Sequence, residues 1–143
     1  MNNMRTVASY AAIVLGALLI IGAGSTWLLV SNTLSDQQIT VSDDASCAAG
    51  ASVDGPYSAY CQAKIIEEHT MNITGGKTYA QLDREDPVRA TAMNSSFLQA
   101  SLFTSVLAFG VAAMAAGMGV IMVLIGLGMR DVATVAQEIP TRT

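Results

Sequence analysis

Few side chains in this sequence could do chemistry. There is one histidine, His69, and it follows directly on Glu67 and Glu68. An imidazole beside two carboxylates is the raw material of general acid–base catalysis or of a metal site. On a helix, however, consecutive residues do not share a face, so these three cannot converge on one ion or one proton. A solvated polar face is the plainer reading. Two cysteines, Cys47 and Cys61, are the only thiols. With a single histidine and no recurring ligand spacing they do not make a zinc site. In an oxidising compartment they pair, and free thiols are the alternative. No Ser-His-Asp set, CxxC motif or phosphate loop is present. Asn72-Ile73-Thr74 and Asn94-Ser95-Ser96 fit the glycosylation pattern, a short motif of low specificity. The expectation is no catalytic residue, no metal, no cofactor and no enzyme.

The elements around these residues are unusual. Val106 to Met129 runs 24 residues without one charged, amide or hydroxyl side chain. As a helix it covers ~36 Å, enough to cross a hydrocarbon core of ~30 Å with some tilt. A lone stretch in lipid must satisfy its own backbone, which makes helix the only reasonable form. Val7 to Val30 is a second such block, with Ser9, Tyr10, Ser25 and Thr26 as its polar members. It is too long for a signal-peptide core of ~7–15 residues, so a retained span is expected. Tyr10 and Trp27 near its ends suit the headgroup region.

Between the blocks, residues 31–95 hold nine of the eleven acids and four of the seven bases, a net charge of −5. An acidic segment with no basic stretch elsewhere excludes nucleic acid as a partner. Arg5 before the first span and Arg130 after the second place both termini on the cytoplasmic side and residues 31–95 outside. The fold expected is thus an all-α membrane protein, a hairpin of two transmembrane helices with a 65-residue extracytoplasmic segment, part helical and part irregular. Its parts are a cytoplasmic N-terminus (1–6), a first span (7–30), the outer segment (31–95), a second span (96–129) and a cytoplasmic tail (130–143).

Within the outer segment, Gln38 to Val41 reads as extended and 42–55 as irregular chain. Asp54-Gly55-Pro56 starts a helix of about 56–74, with Tyr57, Tyr60, Cys61, Lys64, Ile65 and Glu68 on one semi-apolar face, and Gly75-Gly76 stops it. Thr78 and Gln81 fit a capping box for a helix of about 78–84. Asp86-Pro87 is a further start signal that allows helix to run unbroken into the second span, with any bend at Asn94-Ser95-Ser96. So few large apolar residues make a marginal core. In the spans, Ala8, Ala12 and Gly16 recur at four, and Gly110, Ala113 and Gly117 follow i, i+3, i+7. Small residues at such spacings let helices approach closely, so these six are the expected packing positions, within the hairpin or against a partner.

Four stretches, ITVSDDA (39–45), VDGPYSAYCQA (53–63), GGKTYAQLDREDPVRATAMN (75–94) and SFLQASLFTSVLAFGVAAM (96–114), resemble a family of small two-span actinobacterial membrane proteins often labelled aromatic ring-opening dioxygenase. Extradiol ring opening needs an iron held by two histidines and a carboxylate, which one histidine cannot supply. The resemblance implies the actinobacterial cell membrane. By size and topology the chain is also similar to accessory subunits of the cytochrome bcc–aa3 respiratory supercomplex. The function expected is a non-catalytic accessory subunit, with other integral membrane proteins (bcc–aa3 subunits the concrete candidates) and the lipid bilayer as partners. The alternative is an envelope-facing binding or sensor module that uses the acidic segment.

This topology predicts how the thiols react. In intact cells a membrane-impermeant maleimide should label Cys47 and Cys61 only after reduction. Labelling that requires a broken membrane would place residues 31–95 inside.

Overall fold

A computed structural model describes residues 2–138; Met1 and residues 139–143, the end of the expected tail, lie outside the described residues. The chain is all-helical. Helix α1 spans Asn2–Asp36, α2 spans Pro56–Ile73, a single 3-10 turn covers Tyr79–Gln81, and α3 spans Arg89–Glu138. Among the described residues the only β pairing is an isolated bridge between Thr40 and Ser52. Both α1 and α3 are long and apolar enough to cross a membrane, with a mean hydropathy of 2.3 in their most apolar windows. Only 11% and 17% of those windows are buried. The core helix of a soluble protein would be mostly covered, so this exposure suggests a membrane protein.

Two compact units divide the chain. The first consists of the described parts of Met1–Thr26 and Val111–Thr143. Here α1 and α3 run antiparallel, and the buried positions fall at intervals of seven: Ser9, Gly16 and Ala23 on α1, Ala112, Gly119 and Gly126 on α3. Each step of seven up α1 is answered by a step of seven back along α3. The Ser9 hydroxyl donates to the Gly126 carbonyl at 2.6 Å. A Cβ on Gly16 would lie 2.6 Å from the Gly119 carbonyl oxygen, and one on Gly119 would lie 2.7 Å from that of Gly16. Ala23 and Ala112 line one narrow cleft. Sevenfold spacing is that of left-handed helix packing, in which a seam of every seventh residue stays facing its partner. Of the six small residues expected to pack, Gly16 is in this seam. Ala12 is half-buried, and Ala8, Gly110, Ala113 and Gly117 are exposed. On α1 a spacing of four meets the seam only at Gly16; on α3 Gly110 and Gly117 are themselves seven apart but lie on a different heptad register from Ala112, Gly119 and Gly126.

The second unit is Trp27–Gly110. Its core joins Leu34 of α1, Val41 and Val53 of the connecting chain, Ala59, Cys61 and Ala63 of α2, and Leu102 and Phe109 of α3. Trp27 meets Phe109 edge-on at 4.7 Å between ring centroids. Helix α2 starts as expected, with Gly55 extended as the cap, Pro56 in the first turn and Ser58 Oγ accepting the Gly55 N–H. It ends at Ile73, where Gly75 and Gly76 adopt positive φ and the Gly76 N–H reaches back to the Met71 carbonyl. Its buried face matches the expected one in part: Cys61 and Ile65 are buried, but Tyr57 and Tyr60 are exposed and Ala59 and Ala63 are fully buried instead. Flanked by neighbours on more than one side, α2 takes small side chains inward and turns its rings outward.

The helix expected over 78–84 contracts to the 3-10 turn. Thr78 and Gln81 do form the box, with the Thr78 N–H donating to Gln81 Oε1 at 2.9 Å. The carbonyls beyond it go to a side chain instead of to helix amides: the Arg89 guanidinium donates to those of Tyr79 and Leu82 and lies over the Tyr79 ring. Helix α3 begins two residues after Pro87, where Asp86 Oδ1 accepts the Val88 N–H. It continues without a break through Asn94-Ser95-Ser96.

The glycine seam can be tested by adding single methyl groups. Gly16→Ala or Gly119→Ala forces a Cβ into backbone and should destabilise by ~1–3 kcal/mol, the usual range for overpacking. Gly117→Ala, whose Cβ meets nothing within 4 Å, should be neutral or slightly stabilising. Denaturant unfolding in detergent, followed by circular dichroism, separates these outcomes.

Candidate functional site

The chemistry-bearing residues gather where the 37–55 connection lies along α2. Val41 N–H donates to the Ala51 carbonyl, Gly50 N–H to that of Val41, and Val53 N–H to that of Ile39, closing 42–50 into a loop. Three further ties fasten this loop to α2. Cys47 and Cys61 are joined, with their sulfurs 2.06 Å apart and their Cα atoms at 5.6 Å. The Ser42 N–H donates to Gln62 Oε1 at 3.2 Å. His69 Nε2 lies 2.7 Å from Asp44 Oδ2, an imidazole N–H donating to a carboxylate. At the entrance to α2 the Ser31 hydroxyl donates to the Asp54 carbonyl at 2.7 Å and fixes the end of the connection to α1.

Sequence reading left His69 on a solvated polar face, unable to converge with Glu67 and Glu68; the fold gives it Asp44 as a partner. Glu67 is taken by Lys64, whose Nζ donates to Glu67 Oε2 at 2.7 Å and whose pKa is raised by that contact. A signal for the true pairing was present. Gln62 and His69 are seven apart, two turns along one face of α2. Ser42 and Asp44 precede Cys47, so a chain crosslinked at Cys61 can run along that face.

The Asp44 carboxyl is held below its ordinary value of 3.8, first by the hydrogen bond from Ser42 and then by that from His69. A depressed carboxylate favours the folded state above its ordinary value, and the contribution is lost as the pH falls through the lowered one. Side-chain exposures of 63% for Asp44 and 45% for His69 make the pair a weak tie, screened by water. The geometry orients a loop; it brings no nucleophile to the imidazole. Among the described residues no three histidine, cysteine or acidic side chains gather where they could hold a metal ion. Asp86 Oδ1 accepts the Val88 N–H in the turn that leads into α3.

The second unit also holds a cleft of about 580 Å³ between the end of α1, α2 and the start of α3. Sequence reading gave no sign of it, because its walls come from three elements far apart in the chain. No protein-family model, curated protein or solved structure matches this chain.

Removing the crosslink should free the loop and little else. Cys47→Ser opens a closed loop of about 15 residues, for which the chain-entropy model gives ~3 kcal/mol as the upper end of the expected loss. Amide exchange should speed up at Val41, Gly50 and Val53 and stay unchanged at residues 111–129. Uniform acceleration would show that the bond holds more than its loop.

Proposed function

We propose that the chain is a non-catalytic accessory subunit of a larger membrane complex. In this reading α1 and α3 lie in the cell membrane, both termini are cytoplasmic and residues 31–95 face outward. Other integral membrane proteins are the partners, and the actinobacterial bcc–aa3 respiratory supercomplex is the concrete candidate by analogy of size and topology.

One observation carries the reading: the small residues left over. Close packing of α1 on α3 uses Ser9, Gly16, Ala23, Ala112, Gly119 and Gly126, while Ala8, Ala113 and Gly117 stay exposed. A Cβ on Gly117 would meet nothing within 4 Å. In lipid, association rests on close packing rather than on apolar burial, and exposed small residues offer a second helix that approach. The chemistry around α2 fits the same role, since every tie described there fastens a loop and none presents a reactive group.

Purification in a mild detergent, with mass spectrometry of co-migrating proteins, tests this. A stoichiometric set of membrane partners is expected, and Gly117→Leu should weaken its retention while leaving the circular dichroism unchanged. A monodisperse protein without partners in several detergents would sink the accessory role. Partners outside the respiratory chain would sink the specific candidate alone.

A further inference from the structure

The cleft in the second unit has a polarity gradient. It begins at Leu29, Val30 and Ser105, where the two apolar blocks end, and reaches Gln37 at the end of α1 and Gln62 on α2. From Leu29 to Gln37, the residue just past the end of α1, is eight steps along the chain, an axial length of about 12 Å at helical rise. Leu34, Ile66 and Leu102 line the wall, and no ionisable side chain does. Two of the hydroxyls in the wall are already used on their own helices: Thr33 donates to the Leu29 carbonyl at 2.8 Å and Ser105 to that of Ser101 at 3.1 Å. The wall is therefore mostly apolar in effect, with the Ser101 hydroxyl and the Gln37 and Gln62 amides as its remaining polar groups. At the far end Gln62 Oε1 accepts the Ser42 N–H, which leaves its Nε2 hydrogens as donors.

From this we infer that the cleft binds one acyl chain of a membrane phospholipid, with the ester carbonyl accepting from the Gln62 amide. The inference rests on the two-span reading, which sets the Leu29 end at the lipid boundary. A volume of about 580 Å³ is within the ordinary range for small-molecule sites. The absence of charge in the lining disfavours a free anion, a cation or a peptide terminus, each of which would be desolvated there without a counter-charge. A chain that is apolar for most of its length and carries an acceptor at one end matches the gradient. Binding gives the Gln62 amide an acceptor, and the Gln37 amide and Ser101 hydroxyl are the other polar groups of the lining.

The test uses the full chain extracted from its own membranes in mild detergent, with native mass spectrometry and phosphate assay after gel filtration. Wild type should carry a stoichiometric phospholipid. Ser101→Trp, which fills the cleft from α3, should lose it. Gln62→Leu keeps the volume but removes the donor, together with the acceptor for the Ser42 N–H. With amide exchange at Val41, Gly50 and Val53 unchanged to show the loop still in place, it should retain lipid roughly three- to ten-fold less well, the loss of one net hydrogen bond. Met118→Trp, on an exposed face elsewhere, is the control and should match wild type. A wild type without lipid overturns the inference, as does a partner polypeptide whose loss tracks Ser101→Trp. So does lipid retained equally by Ser101→Trp or Gln62→Leu. Alkaline carbonate extraction of the same membranes keeps the two readings apart: a protein released by carbonate defeats the two-span reading, whereas one that stays embedded but carries no lipid defeats this inference alone.

Discussion

At Gly16 and Gly119 two helix backbones come so close that neither residue could carry a Cβ without meeting the other's carbonyl oxygen. Such proximity matters more for apolar helices in lipid than for helices in water. Lipid tails solvate leucine as well as another helix does, so covering apolar surface gives no reason to associate. What remains is dispersion between atoms at contact distance and the few polar bonds that lipid cannot replace. The seam supplies both. Glycine and alanine bring the backbones together, and Ser9 spends its hydroxyl on the Gly126 carbonyl. The large residues on α1 and α3, such as Leu18, Ile21, Leu124 and Ile125, are correspondingly exposed.

The second unit solves a different problem. It has few large apolar side chains, and its core of Leu34, Val41, Val53, Leu102 and Phe109 is completed by alanines and a cystine. A core that small leaves little margin against the entropy of an irregular connection. The connection is therefore fixed at several points along α2, by a covalent bond, a backbone-to-amide hydrogen bond and a carboxylate–imidazole contact. Ala59 and Ala63 have no exposed surface at all. Growth at either would push α2 off its neighbours.

Much of this was legible in the sequence because the signals were local. Uninterrupted apolar runs marked α1 and α3, Gly55-Pro56 marked the start of α2 and Gly75-Gly76 its end. The pairing of Cys47 with Cys61 needed only that the chain hold two cysteines in one segment. What could not be read was tertiary. The seam was hidden because glycine and alanine recur at several spacings in both helices, and only the partner decides which spacing is used. The helix over 78–84 was undercut by Arg89, ten residues beyond Tyr79, whose guanidinium claims the carbonyls a helix would have needed. The Asp44–His69 contact and the cleft depend on which elements become neighbours, and composition carries no record of that.

The two sulfurs of the crosslink differ in their surroundings. Cys61 is 1% exposed, within the core, whereas Cys47 is only half-buried on the loop. A thiolate reductant can approach only from the Cys47 side, and attack there would have to expel Cys61 as the leaving thiolate. That anion would form in an apolar site, where it is poorly solvated and therefore leaves slowly. The loop tether would also hold the mixed disulfide on Cys47 beside the displaced sulfur, so reclosure competes with completion. The folded unit thus slows reduction of its own crosslink, and opening of the core would remove that protection.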